Sequence, residues 1–157
     1  MLILCVLFLF GCSSSSGGPM YYQDSDKVTY EIEGKITNEK DAELAVKVIE
    51  DSLKYAQEED IDEYLNTIAL SGREQTYKEL SEFFALYDLE HTLLSAEVIE
   101  QTEDEIKISA SQQTIVVETA EGADEYRNHI SEITYLLILE DDKWRINESM
   151  TTDIMFL

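Results

Sequence analysis

The chain has 157 residues, with 11 Lys and Arg against 34 Asp and Glu, for a formal net charge of −23. That balance repels phosphate backbones and anionic lipid headgroups, so it excludes nucleic acid as a partner and a basic electrostatic grip on a membrane surface. What remains is a solvated acidic surface that keeps the protein soluble, or one that attracts cations and basic partners.

Residues 2–10 form an uncharged apolar run, shorter than the roughly 20 residues that span a bilayer. The run reads as the hydrophobic core of a signal peptide. Leu9-Phe10-Gly11-Cys12 follows at once and resembles the lipobox of bacterial lipoproteins, in which a small residue precedes the cysteine that is acylated. Phe10 is bulkier than such boxes usually take. No Lys or Arg precedes Lys27, although a signal peptide normally opens with a positive segment, so the true start is expected a few residues upstream. The resemblance implies a signal peptide over residues 1–11, lipidation at Cys12 and anchoring to the cell membrane on its extracytoplasmic side. Residues 12–26, rich in Ser and Gly, then read as a flexible tether. Cys5 leaves with the signal peptide and Cys12 becomes thioether-linked, so the folded part keeps no thiol for a disulfide.

Residues 27–157 suffice for one domain and not for two. The segment KVTYEIEGKI alternates loosely and reads as a short strand or an extended lead-in interrupted at Gly34. Asn38 then suits an N-cap, and Ala45, Val48, Ile49, Leu53 and Ala56 recur at helical spacing, predicting a long amphipathic helix. The acidic stretch 58–63 opens a short second helix, because carboxylates complement the exposed amides of a helix start. Ser71 and Glu74 match a capping box for a third helix, with Tyr77, Leu80, Phe84 and Tyr87 as its apolar stripe.

Beyond Leu89 the hydrophobic period becomes two, predicting strands near residues 89–100, 106–118, 128–139 and 144–154, paired consecutively as an antiparallel meander. The fold class is therefore α+β, three N-terminal helices on four antiparallel strands. The element order, with Asp60-Ile61-Asp62-Glu63-Tyr64-Leu65 in the short helix and Lys143-Trp144-Arg145-Ile146 opening a late strand, resembles the nuclear transport factor 2-like superfamily. The resemblance implies a cone-shaped domain whose strongly curved sheet wraps the helices around a cavity. In that superfamily the cavity is used for catalysis, as in ketosteroid isomerases, for ligand binding, or not at all.

A tight turn at residues 140–143 sets a register pairing Leu139 with Trp144, Leu137 with Ile146 and Tyr135 with Glu148. This face is apolar and should meet the helices, so Glu148 stands out on it. Either Glu148 is a general base or ligand-orienting acid with Tyr135 polarising a carbonyl and Tyr64 assisting, or the face turns into solvent there. Tyr64, Tyr135 and Glu148 are thus the candidate pocket. His91 and His129 fit no zinc spacing and read as structural or exposed. No Gly-x-Ser-x-Gly, phosphate-binding glycine loop or calcium loop is present, so no metal or cofactor is indicated.

The expected role is a non-catalytic lipoprotein domain that binds a small molecule or an envelope protein. The alternative is a cavity enzyme doing acid and base chemistry, an isomerase or dehydratase. Ile130, Leu136 and Ile138, on the outer face, make a homodimer plausible.

Overall fold

A computed structural model describes residues 31–157; the expected signal peptide, Cys12 and the tether lie outside the described residues. The first strand, β1 (Ile32–Gly34), leads into a long helix, α1 (Glu39–Gln57). Asn38 starts that helix by accepting the Asp41 N–H at 3.3 Å, with Glu39 and Asp41 in the first turn. Its buried face is Ala42, Ala45, Val46, Ile49, Ser52 and Leu53; Val48 lies only at its margin. Small residues along this face let the helix sit close to whatever it packs on.

Glu59 turns the chain with a φ of 53°, and Asp60 caps α2 (Ile61–Thr67) by accepting the Glu63 N–H at 3.1 Å. The expected capping box does not form. Residues Leu70–Gly72 instead make a short 3-10 turn, closed by a bond from the Gly72 N–H to the Ala69 carbonyl. Ser71 is held inside that turn, so α3 (Arg73–Phe84) begins after Gly72 without a side-chain cap. The helix stops at Phe84, which leaves Tyr87 in the next strand, and Tyr77 is exposed, so the expected stripe is broken at both ends.

Four long strands follow: β2 (Tyr87–Gln101), β3 (Glu105–Thr119), β4 (His129–Glu140) and β5 (Lys143–Phe156). They pair consecutively and antiparallel. The sheet nevertheless has five strands and is mixed, because β1 pairs parallel with β2, Ile32 opposite Ala96 and Gly34 opposite Val98. Gly34 permits that approach: its φ is 101°, and a Cβ there would lie 2.3 Å from the Val98 carbonyl oxygen. A four-stranded, wholly antiparallel sheet is thus corrected by one short parallel edge strand.

Asp141 and Asp142 form the tight β4–β5 turn, both with positive φ, and Leu139 pairs with Trp144 and Leu137 with Ile146 as expected. The register then shifts. Asn147 is an extra residue on β5, so Leu136 faces Glu148 and Tyr135 faces Ser149; a second shift near Thr152 sets Ser131 opposite Ile154. Three further shifts interrupt the β2–β3 ladder. Bulges of this kind bend a strand and raise its twist, and they curl the sheet about α1. Of the residues expected to support pairing on the outer face, Ile130 is buried, held between Gln113 of β3 and Met155 of β5, and Leu136 and Ile138 are half-buried.

Candidate functional site: a cavity with a polar floor

The face of the sheet that meets α1 can be followed in rows across the strands. Val98, Ile108 and Tyr135 lie in one register, and Ala96, Ala110 and Ile133 in the next. Beyond them come Leu93, Gln112, Ser131 and Ile154, then His91, Thr114, His129 and Phe156. The side chains therefore pass from aliphatic to amide, hydroxyl and imidazole along one continuous surface. The aliphatic end is sealed by α1; over the polar end a cavity of about 320 Å³ remains.

The roof comes from Leu53 and Ala56 at the end of α1, Tyr64 of α2, and Leu80, Phe83 and Phe84 of α3. Among the described residues that line the cavity there is no Asp, Glu, Lys or Arg. In a chain with a net charge of −23 this is a local inversion of composition. The cavity is a neutral environment inside an acidic protein.

Its polar groups are partly committed to one another. The Tyr135 hydroxyl donates to Gln112 Oε1 at 2.9 Å, both residues being buried. That bond leaves the Gln112 amide nitrogen as the end facing other partners. Burial pushes the Tyr135 and Tyr64 phenols above their ordinary range, so both stay protonated. His91 Nδ1 lies 3.2 Å from Thr114 Oγ1, and burial, with His129 adding to it, pushes the His91 imidazole down to about 4. His91 is therefore neutral at pH 7. His129 donates from Nδ1 to the Arg127 carbonyl at 2.8 Å. Ser131, 3% exposed, makes no hydrogen bond through its Oγ among the described residues.

The mouth is aromatic. Phe83, Tyr87 and Tyr126 pack on one another with ring centroids 5.0 to 5.7 Å apart. Tyr126 continues to His129 at 5.7 Å, and Arg127 sits over Phe156 at 4.3 Å. A second depression, about 330 Å³, lies between α1, α2 and the β4–β5 turn. Lys47, Asp51, Glu63 and Lys143 border it, and the Lys47 ammonium is already paired with Asp51.

Of the three residues singled out from sequence, Tyr64 and Tyr135 line the cavity and Glu148 does not. The bulge at Asn147 reverses the side on which Glu148 emerges, so its carboxylate is exposed on the outer face while Ser149 and Thr151 turn inward. His91 and His129, read from sequence as structural or exposed, are lining residues, as are Gln112, Thr114 and Ser131. Among the described residues no group of three His, Cys, Asp or Glu side chains is placed to hold a metal ion.

Residues 47–157 match the sequence profile of the anti-sigma-I factor RsgI9, C-terminal domain. A search of curated proteins finds no match. Among solved structures, the chain is similar to a protein of unknown function with a cystatin-like fold from Nostoc punctiforme PCC 73102, at 12% identity and a TM-score of 0.60, over 73% of this chain and 91% of that one. An NTF-2 like protein of unknown function from Shewanella oneidensis MR-1 is similar at 12% identity and a TM-score of 0.53, over 72% and 99% of the two chains. A hexachlorocyclohexane dehydrochlorinase, LinA type 2, is similar at 12% identity and a TM-score of 0.53, over 76% and 90%. These likenesses establish a fold of the cystatin-like, nuclear transport factor 2-like kind and leave activity open.

Proposed function

The chain belongs to the family of the anti-sigma-I factor RsgI9 C-terminal domain, and from that premise we propose that it is a non-catalytic ligand-binding domain carried by an extracytoplasmic lipoprotein. One observation carries the reading: the cavity is preformed, has buried polar groups on its floor, and among the described residues that line it there is no Asp, Glu, Lys or Arg. Pockets of a few hundred cubic ångströms with apolar walls and a few convergent polar groups are the usual form of a small-molecule site.

The anchor belongs to the same proposal. Cys12 carries the lipid, residues 12–26 are the tether, and the acidic domain stands off an anionic membrane surface. Replacing Cys12 with Ser should move the chain from the membrane fraction to the soluble one; retention in the membrane would end the lipoprotein reading. A protein of the envelope, or a second copy, has a separate surface to meet, since Met150 and Met155 are exposed on the edge strand β5.

Catalysis is the second reading, favoured by the placement of His91 and His129 on either side of Thr114 in one row of the floor. One of the similar folds is a dehydrochlorinase, so this scaffold does hold reactive sites. Against it, a general base works best with a pKa near the operating pH and a group that orients it. His91 is pushed down to about 4 and its neighbour is a hydroxyl, not a carboxylate.

A thermal-shift screen of neutral fragments on the full chain tests the binding reading. Ligand at about 100 times its Kd stabilises by about 2.7 kcal/mol, a readily measured rise in melting temperature. Hits should lose their effect on an Ile133→Trp variant that fills the cavity. Hits that persist in that variant, or an absence of hits, would count against the cavity as the site.

A further inference from the structure

The lining of the cavity also restricts what kind of molecule enters it, an inference that rests on reading the cavity as a ligand site. We propose that the ligand is a compact, uncharged, largely apolar ring compound carrying a carbonyl-type hydrogen-bond acceptor, which is held by the Ser131 hydroxyl and the Gln112 amide.

Gln112 and Ser131 are direct partners across the β3–β4 ladder, so their side chains emerge side by side on the floor. Both are buried. The Gln112 carbonyl is taken by the Tyr135 hydroxyl, which leaves its N–H groups, and the Ser131 Oγ has no partner among the described residues. Tyr64, at the roof, presents a phenol that remains protonated. All three of these groups can donate, so an acceptor placed between them can be bound by each.

Charge is excluded in both directions. An anion would enter a chain of net charge −23 and find no Lys or Arg among the lining residues. A cation would be drawn toward the acidic protein, yet among the described lining residues it would meet no carboxylate to offset its desolvation. Phe83, Tyr87 and Tyr126 do not supply a cation cage instead, because they pack on one another at 5.0 to 5.7 Å. Leu53, Phe84 and Ile133 complete apolar walls suited to a ring.

Four probes of one shape separate these terms: 2-acetylnaphthalene, its isostere 2-isopropenylnaphthalene with C=CH2 in place of C=O, 2-naphthoate, and a trimethyl(naphthyl)ammonium salt. Affinities for the full chain are measured by ligand-detected NMR titration. The ketone should bind about tenfold or more tightly than the alkene, as expected for a site whose buried donors are left unpaired by the hydrocarbon. Both charged probes should bind more weakly than the ketone. Ser131→Ala should bring the ketone down to the alkene's affinity and leave the alkene unchanged, and Gln112→Leu provides the same comparison from the other donor. Equal ketone and alkene affinities in the unmodified chain, or an advantage that survives both substitutions, would overturn the acceptor proposal while the cavity remained a ligand site. A charged probe binding best would overturn its neutrality. If no probe binds while the fragment screen succeeds, the compound class is wrong; if both fail, the ligand reading falls with it.

Discussion

The two ends of the concave sheet face are made by the same four long strands, yet one is dry and the other is hollow. At the dry end Val98, Ile106, Ile108 and Leu137 meet Ala42, Ala45, Val46 and Ile49 of α1, and all are buried. At the hollow end Leu53 and Ala56 at the end of α1 and Tyr64 of α2 are joined in the cover by α3, none of whose residues is buried, with Leu80, Phe83 and Phe84 leaning over the floor. The small side chains of α1 allow close approach, while α3 stands off with large ones, so the roof changes together with the floor. On the proposed ligand-binding reading, stability and recognition fall to different halves of one surface. Leu137→Ala at the dry end should cost about 3 kcal/mol, within the range of about 2 to 5 for such truncations, by urea denaturation. Phe84→Ala, which removes more atoms from the roof, should cost clearly less. The reverse order would show that the hollow end is packed as core and would dissolve the distinction.

A pH titration of stability reads the hollow end directly. The His91 imidazole is pushed from about 6.5 in the unfolded chain to about 4 in the fold, chiefly by burial and further by His129. Above pH 6.5 neither state binds the proton and the fold loses nothing. As the pH falls from 6.5 to 4 the unfolded chain takes up a proton that the folded chain refuses, so stability declines, by about 3 kcal/mol in all, and this contribution flattens below 4. Carboxylates titrate in the lower part of the same window, so the informative quantity is the difference between the unmodified chain and His91→Gln. That difference should shift by this order between pH 7.5 and 4. Parallel curves would mean that His91 is solvated and that the hollow end is wet throughout.

Smaller effects of opposite sign are expected from the two hydroxyl groups on the floor. Tyr135→Phe removes the donor to Gln112 Oε1 and leaves a buried carbonyl oxygen without its bond, a loss of about 1 to 2 kcal/mol. Ser131→Ala removes a buried hydroxyl that has no partner among the described residues, so it should be neutral or raise stability by up to about 1 kcal/mol. Denaturation of both variants at pH 7 is the check. A costly Ser131→Ala would show that its hydroxyl is already satisfied and would remove the empty donor from the site.

Much of the dry end was legible in the sequence. The spacing of Ala45, Ile49 and Leu53 marked α1, and the turn at Asp141 and Asp142 fixed the pairing of Leu137 with Ile146. The sequence leaves β1 open between a short strand and a lead-in, since three residues at an edge carry no period and only the approach of Gly34 to Val98 distinguishes the two. The floor of the cavity had a signal that was available and went unread. Alternate residues of β3 run Ile106, Ile108, Ala110, Gln112, Thr114, and those of β4 run Leu137, Tyr135, Ile133, Ser131, His129, both turning polar at the same distance along the ladder. Glu148 is a single carboxylate in one strand, and a lone residue specifies a face less well than a gradient shared by two.

That carboxylate gives the smallest expected effect and the sharpest test of the register. The segment from Asn147 to Thr152 reads Asn-Glu-Ser-Met-Thr-Thr and has no apolar alternation, so nothing in it specifies which residues face inward or where a bulge falls. With the extra residue at Asn147, Glu148 pairs with Leu136 on the outer face and Ser149 takes the place opposite Tyr135. Glu148→Gln should then change stability by no more than about 0.5 kcal/mol, as surface substitutions generally do, and leave ketone binding unaltered. Ser149→Leu, by contrast, should narrow the cavity and weaken binding. If the two substitutions exchange their effects, the unbulged register holds, the Glu148 carboxylate lies under the roof, and the neutral cavity with everything argued from it gives way to an acid and base site.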